Sequence, residues 1–94
     1  MPEFIPDGIT YDDVLLAIEA INGNVNHTFG PSTFYDLVFD GHPYPPKAVL
    51  GIAAKRLAGR LLVPSDFSGG VDSRCFQILR ELGFIIIPKE SSVK

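Results

Sequence analysis

The chain has 94 residues, of which 46% are hydrophobic and 20% are charged, an ordinary composition for one small globular domain. No apolar run approaches the ~18 residues that cross a bilayer, and the single cysteine excludes an internal disulfide and a cysteine-based zinc cluster. The first residues carry neither the basic flank nor the apolar stretch of a secretion signal. We therefore expect one domain over residues 1–94, with its core at about 10–88 and a frayed tail at 89–94, in a cytoplasmic protein that has no membrane partner.

Charge is distributed unevenly along the chain, although the net charge is only −3. Residues 1–40 hold seven acidic residues and no Lys or Arg, whereas residues 41–94 hold all eight Lys and Arg against four acidic residues. Residues 41–65 contain four basic residues and no acid. This pattern predicts a local basic surface around residues 42–60 that suits a polyanion, and ordinary solubilising charge is the alternative.

The first predicted helix starts after Thr10, because a threonine followed three residues later by Asp13 is typical of a helix N-terminus. Apolar residues recur at helical spacing behind it, and Asn22-Gly23 ends the run. Residues 24–32 form a polar loop marked by glycine and proline.

A strand is predicted over residues 34–40, where apolar and polar residues alternate around aromatic side chains. Asp40-Gly41 is a turn signal at its end. The second predicted helix begins at Pro46, since proline suits the first helical position, and it ends near residue 58, before Gly59.

The last part of the chain predicts a third helix and a second strand. Residues 61–63 form a short extended piece, and the third helix covers roughly 71–82, with Gly83 as its C-terminal cap. Its buried stripe consists of Cys75, Ile78, Leu79 and Leu82. The β-branched run 85–87 predicts a strand that pairs with 35–39. The predicted fold class is α+β, with three helices packed on a small antiparallel sheet.

The second predicted helix has two different faces when its residues are placed at 100° intervals. Its core stripe consists of Val49, Leu50, Ala53 and Leu57. Its opposite face consists of Lys47, Gly51, Ala54, Lys55 and Ala58. Such a face of small residues rimmed by lysines either lets a bulky partner approach the backbone or packs beneath a neighbouring element. The sequence leaves both interpretations open.

The most informative stretch lies at the mouth of this helix, in the run Tyr44-Pro45-Pro46-Lys47-Ala48. Each proline holds the residue before it in an extended conformation. We expect a rigid apolar notch here, with Lys47 and unpaired helix N–H groups beside it. Such a notch suits an anion that has an apolar edge.

Catalytic and metal-binding patterns are weak. His27 and His42 are lone loop histidines without partners at metal-ligand spacing, Cys75 lies on an apolar stripe, and helix capping explains Asp12 and Asp13. Residues 68–73 match the SGGxDS loop of PP-loop enzymes, but only 21 residues follow, too few for the doubly wound parallel domain that this loop opens. We expect no enzyme, no metal and no cofactor, and a PP-loop-like nucleotide-binding remnant at 68–73 is one alternative.

An ordered set of residues carries a family resemblance: Tyr35, Gly41, Tyr44-Pro45-Pro46-Lys47-Ala48, Phe67-Ser68-Gly69-Gly70 and Leu79-x-x-Leu82-Gly83-Phe84. The set covers about residues 34–87 and resembles the sulfur-binding domain of McrA-type, modification-dependent HNH restriction endonucleases. The related N-terminal head domains of the same enzymes share a similar skeleton. The resemblance implies a restriction or defence module that recognises double-stranded DNA with a phosphorothioate backbone, with a nuclease domain or subunit as a further partner.

The resemblance also implies roles for individual residues. The sulfur pocket is matched by Tyr44, Pro45 and Ala48. The candidates for phosphate contacts are Lys47, Lys55, Arg56, Ser68, Gly69, Gly70 and Arg74. The candidates for sugar or base contacts are His27 and His42. A non-catalytic DNA-binding module is the leading hypothesis. The acidic first 40 residues motivate the alternative, a small protein–protein interaction module of a phage or defence system.

Overall fold

A computed structural model of the chain describes residues 3–23, 29, 34–69 and 72–88. Within these ranges the elements, in chain order, are α1 (Tyr11–Asn22), β1 (Tyr35–Phe39), β2 (His42–Tyr44), α2 (Pro46–Ala53), α3 (Lys55–Ala58), a 3₁₀ turn (Pro64–Asp66), α4 (Arg74–Glu81) and β3 (Ile85–Pro88). The predicted α+β class is confirmed. The predicted frayed tail at 89–94 lies outside the described residues.

The sheet has the strand order β2-β1-β3, and both pairings are antiparallel. Asp40 and Gly41 join β1 to β2 with φ of 53° and 78°, the two left-handed residues that a two-residue hairpin turn requires. The predicted pairing of the last strand with β1 is confirmed, with Leu37 opposite Ile86. The sequence pattern did not predict β2, whose three residues include a proline.

Helix α1 begins as predicted. The Thr10 hydroxyl accepts from the Asp13 N–H at 3.2 Å, and the Asp13 carboxylate accepts from the Thr10 N–H at 3.0 Å. This reciprocal pair satisfies two N–H groups that an isolated helix start leaves unpaired. It also fixes the Asp13 carboxylate at the junction between α1 and the segment that precedes it.

Helix α2 is the centre of the fold, because all of its residues except Lys47 are buried. Its small-residue face packs beneath a neighbouring element: a Cβ added at Gly51 would lie 2.5 Å from the Phe29 ring. The predicted core position of Leu57 is wrong, since this side chain is 36% exposed. The helix is also interrupted at Ala54, and α3 then ends at Gly59 with φ of 78°.

Helix α4 begins after Ser73, whose hydroxyl accepts from the Phe76 N–H at 3.2 Å. Gly83 follows the helix with φ of 102°, and the Phe84 N–H donates to the Leu79 carbonyl at 3.0 Å. The predicted glycine C-cap is therefore confirmed. The extended piece 61–63 joins no sheet within the described ranges.

The core lies between the inner face of the sheet and the helices. Leu37 at the centre of β1 is fully buried, and its two cross-strand neighbours, Tyr44 and Ile86, are buried beside it. Helix α1 packs against α2. Among the described residues, no helix has the length and apolar character needed to span a membrane.

Candidate nucleic-acid interface

Lys47 follows the first residue of α2 and is half-buried. Its Nζ donates to the Pro64 carbonyl at 3.0 Å and lies 5.1 Å from the centroid of the Phe67 ring. Its aliphatic stem crosses Gly69 so closely that a Cβ there would lie 2.8 Å from Lys47 Cγ. A cation is thus fixed over an apolar ring, and glycine is the residue that permits the crossing.

An open cavity of about 460 Å³ lies beside this lysine. Its lining consists of Glu3, Lys47, Pro64, Ser65, Asp66, Phe67, Ser68 and Gly69. The Ser68 N–H donates to the Glu3 carboxylate at 2.8 Å. The wall therefore combines a backbone donor already bound to an anion, a lysine and an aromatic ring. Two carboxylates also line the cavity, and that of Asp66 is paired with Arg60 at 2.9 Å. The arrangement suits an anion that has an apolar edge and that displaces the carboxylate of Glu3.

The three residues assigned to a sulfur pocket are mostly covered. Ala48 is 0% exposed and Tyr44 is 6% exposed, while Pro45 is half-buried. Tyr44 faces inward because it pairs with the buried Leu37, and its hydroxyl donates to Asn22 Oδ1 at 3.2 Å. The expected notch is therefore filled by the core at two of its three residues. The assignment of a sulfur pocket stays a prediction.

Arg56 is engaged by the fold. Its Nε and Nη2 each donate to Asp13 at 2.8 Å, and Nη2 also donates to the Gly8 carbonyl at 3.3 Å. Asp13 is only 5% exposed, and the hydrogen bonds from Arg56 lower its pKa to about 2. If Arg56 released Asp13 in order to bind a phosphate, the buried Asp13 carboxylate would lose its partner. This predicted phosphate contact is thus a structural ion pair in the described conformation.

Two further predicted contacts are more available. Arg74 Nη2 lies 2.6 Å from Asp7 Oδ1, and these side chains are 50% and 92% exposed. Such an exposed pair contributes little free energy, so a phosphate can replace Asp7 at small cost. Lys55 is exposed, and within the described ranges its side chain has no hydrogen-bond or ion-pair partner.

The structure brings some of the predicted residues together and separates others. Lys47, Ser68 and Gly69 line the same cavity. Lys55 begins α3, beyond the interruption at Ala54, and does not line this cavity. His42 is exposed at the start of β2. Gly70 and His27 lie outside the described residues.

Sequence reasoning missed Glu3 and Phe67 as members of this cavity. Glu3 contacts a residue that lies 65 positions later in the chain, and no local pattern reports such a contact. In the sequence, Phe67 stands out only through the family resemblance. The signal that could have found it is the proximity of an aromatic residue to a glycine-marked turn.

The described residues offer little for nucleophilic or metal chemistry. Cys75 is fully buried, and burial raises the pKa of its thiol to about 12, so a reactive thiolate is disfavoured. No group of three or more His, Cys, Asp or Glu among the described residues is arranged to hold a metal ion. The described sheet is antiparallel, unlike the parallel sheet of a PP-loop domain.

Comparison with known proteins gives one family. The sequence model described as "ScoMcrA-like, N-terminal head domain" matches residues 7–88, which include every described element. Searches of curated proteins and of solved structures found no match to the chain.

Proposed function

Because the chain belongs to the ScoMcrA-like N-terminal head domain family, we propose that it binds the backbone of double-stranded DNA without catalysing a reaction. Membership in the family makes the chain a restriction-related, DNA-associated module. The ligand and its contacts are the proposal. Of the two related modules that the sequence resembles, the match supports the head domain.

The observation that carries the proposal is the cavity beside Lys47. A phosphate group placed there meets the Lys47 ammonium and the Ser68 N–H, which already binds a carboxylate at 2.8 Å. Backbone N–H groups and lysines are common phosphate donors in complexes with DNA. Gly69 keeps the cavity wall free of a side chain at the point where Lys47 crosses it.

Lys55 and Arg74 are two further candidates for phosphate contacts, and each lines a depression separate from the cavity beside Lys47. Each phosphate that a basic residue neutralises releases condensed counterions, so affinity falls as salt rises. Three described arginines already have carboxylate partners, which predicts weak binding and a shallow salt dependence. Arg56 does not belong to the proposed interface, because Asp13 requires it.

Recognition of phosphorothioate is the finer part of the proposal. Sulfur is larger and less tightly hydrated than oxygen, so it tolerates an apolar wall that a phosphate oxygen resists. Burial of roughly 35 Å² of sulfur supplies only about 1 kcal/mol, which is roughly a fivefold preference. Pro45 is the least buried member of the predicted pocket and precedes Lys47 by two residues, but it does not line the cavity itself. Tyr44 and Ala48 require their covering side chains to part.

The proposal is tested by fluorescence anisotropy with a labelled duplex at several salt concentrations. Lys47→Met keeps the packing of the lysine stem and removes its charge. We expect it to weaken binding of all duplexes and to reduce the slope of log K against log salt by about 1. Arg80→Met is the matched control, since it removes one charge on α4 outside the proposed interface. Equal effects of the two variants, or no binding by the unmodified protein, would contradict the proposal.

The sulfur preference needs a second comparison, between phosphorothioate and ordinary duplexes of the same sequence. We expect the protein to bind the phosphorothioate duplex about fivefold more tightly. Pro45→Ala should remove this preference and leave binding of the ordinary duplex unchanged. Equal affinities for the two duplexes in the unmodified protein would reject sulfur recognition while leaving backbone binding intact.

A second candidate function is docking of a nuclease domain or subunit, favoured by the outer face of the sheet. Val38 of β1 is paired with Pro43 of β2 on one side and with Ile85 of β3 on the other. On β3, Ile85 is 61% exposed and Ile87 is 45% exposed. The solvent face of an antiparallel sheet is usually polar, so an apolar row here indicates a covering partner. Ile85→Asp should abolish co-sedimentation with a purified ScoMcrA-like nuclease domain. Unchanged co-sedimentation, or none by the unmodified protein, would reject this candidate.

A further inference from the structure

The segment formed by residues 3–8 contacts two of the proposed phosphate donors. Glu3 accepts from the Ser68 N–H at 2.8 Å, and Asp7 pairs with Arg74 at 2.6 Å. The Gly8 carbonyl accepts from Arg56 at 3.3 Å, a contact outside the proposed interface that holds the end of the segment. We propose that this acidic segment competes with DNA phosphates for the same donors and so limits the affinity of the domain. The inference rests on the proposed function and concerns the regulation of the same site.

The segment is held by contacts that do not involve its carboxylates. The Phe4 N–H donates to the Asp66 carbonyl at 2.7 Å, and the Arg60 guanidinium lies 5.6 Å from the centroid of the Phe4 ring. Arg60 is in turn paired with Asp66 at 2.9 Å. These contacts anchor the chain next to Glu3, so its carboxylate stays close to the cavity at a high effective concentration.

The two acidic contacts are strong enough to compete and weak enough to be displaced. The carboxylate of Glu3 accepts from the Ser68 N–H, which a phosphate oxygen would otherwise use. The carboxylate and the phosphate both carry negative charge, so each forms a charge-assisted hydrogen bond with this donor. Asp7 is 92% exposed, so water and salt screen its pair with Arg74. The apparent affinity for DNA is reduced by the fraction of molecules in which these donors are occupied.

The test compares two double variants that change the net charge equally. Glu3→Ala with Asp7→Ala removes the competing carboxylates, and Asp12→Ala with Glu19→Ala removes two exposed carboxylates from α1. We expect the first pair to bind a 12-base-pair duplex about fivefold more tightly than the second, the factor that the net contribution of one ordinary hydrogen bond supports. Pyrophosphate is the second probe, monitored by the NMR shift of the Ser68 amide.

Each outcome separates this inference from the proposed function. Tighter binding of both probes by the first pair than by the control supports competition. If no variant binds DNA, but pyrophosphate shifts the Ser68 amide at lower concentration in the first pair, competition is retained and the DNA-binding function is lost. If the first pair binds neither probe more tightly than the control pair, competition is overturned, even where the unmodified protein binds DNA.

Discussion

Arg56 and Asp13 form a two-pronged ion pair, in which Nε and Nη2 each lie 2.8 Å from a different carboxylate oxygen. The pair ties α3 to the first turn of α1, and Asp13 is buried while the Arg56 side chain is 57% exposed. A basic residue in the stretch that lacks acids therefore stabilises the fold through an acid from the other half of the chain. Charge counts along the sequence did not reveal this.

We predict that Arg56→Met lowers the free energy of unfolding by about 2 kcal/mol, because it leaves a buried carboxylate without its partner. Lys55→Met is the control, because Lys55 precedes Arg56 in the chain and its side chain is exposed. This variant should change the free energy of unfolding by less than about 0.5 kcal/mol. Urea denaturation followed by circular dichroism measures both. Equal stabilities of the two variants would show that the ion pair contributes nothing.

Stability should fall in acid through the same pair. The pKa of Asp13 is lowered from 3.8 to about 2, so its contribution is fully present above pH 3.8 and is lost as the pH falls through 2. The contribution is at most about 2 kcal/mol. We compare the free energies of unfolding of the unmodified protein and of Asp13→Asn by urea denaturation from pH 5 to pH 2. The difference between them should shrink by about 1–2 kcal/mol as the pH falls. A constant advantage across this range would contradict the lowered pKa.

Gly51 is required for the approach of Phe29 to α2. A Cβ at Gly51 would lie 2.5 Å from two atoms of the Phe29 ring. We predict that Gly51→Ala destabilises the domain by about 1–3 kcal/mol through overpacking. Gly23→Ala adds the same methyl group at ordinary contact distance, 3.6 Å from two carbonyl oxygens, with φ of −88°. It should change the melting temperature little, and an equal loss in both variants would contradict the packing argument.

Local patterns predicted most of the fold, because the signals at Thr10, Asp40-Gly41 and Gly83 act within a few residues. They placed Val49, Leu50 and Ala53 of α2 in the core, but they did not predict whether its small-residue face is also covered, since Gly51 meets Phe29 from a distant part of the chain. The same limit applies to the site. Lys47 was identified from its position at the mouth of the helix, whereas its neighbour Glu3 and the burial of Tyr44 depend on tertiary contacts.

Gly69 offers a test of the cavity that does not change any charge. A Cβ there would lie 2.8 Å and 2.9 Å from Lys47 Cγ and Cδ, and this flexible side chain can move away. Gly69→Ala should therefore keep stability nearly unchanged and weaken DNA binding roughly threefold to tenfold by displacing the ammonium group. Anisotropy measures the affinity, with Gly23→Ala as the control. Unchanged affinity would mean that the position of Lys47 does not matter.

The central claim is that DNA phosphate binds at the cavity formed by Lys47, Ser68 and Gly69. An NMR titration of the labelled protein with a short duplex tests it most directly. We predict that the largest amide shifts occur at residue 47 and residues 65–69, with smaller shifts on the outer face of the sheet. Shifts centred on Ile85 and Ile87, or no shifts at all, would contradict the claim.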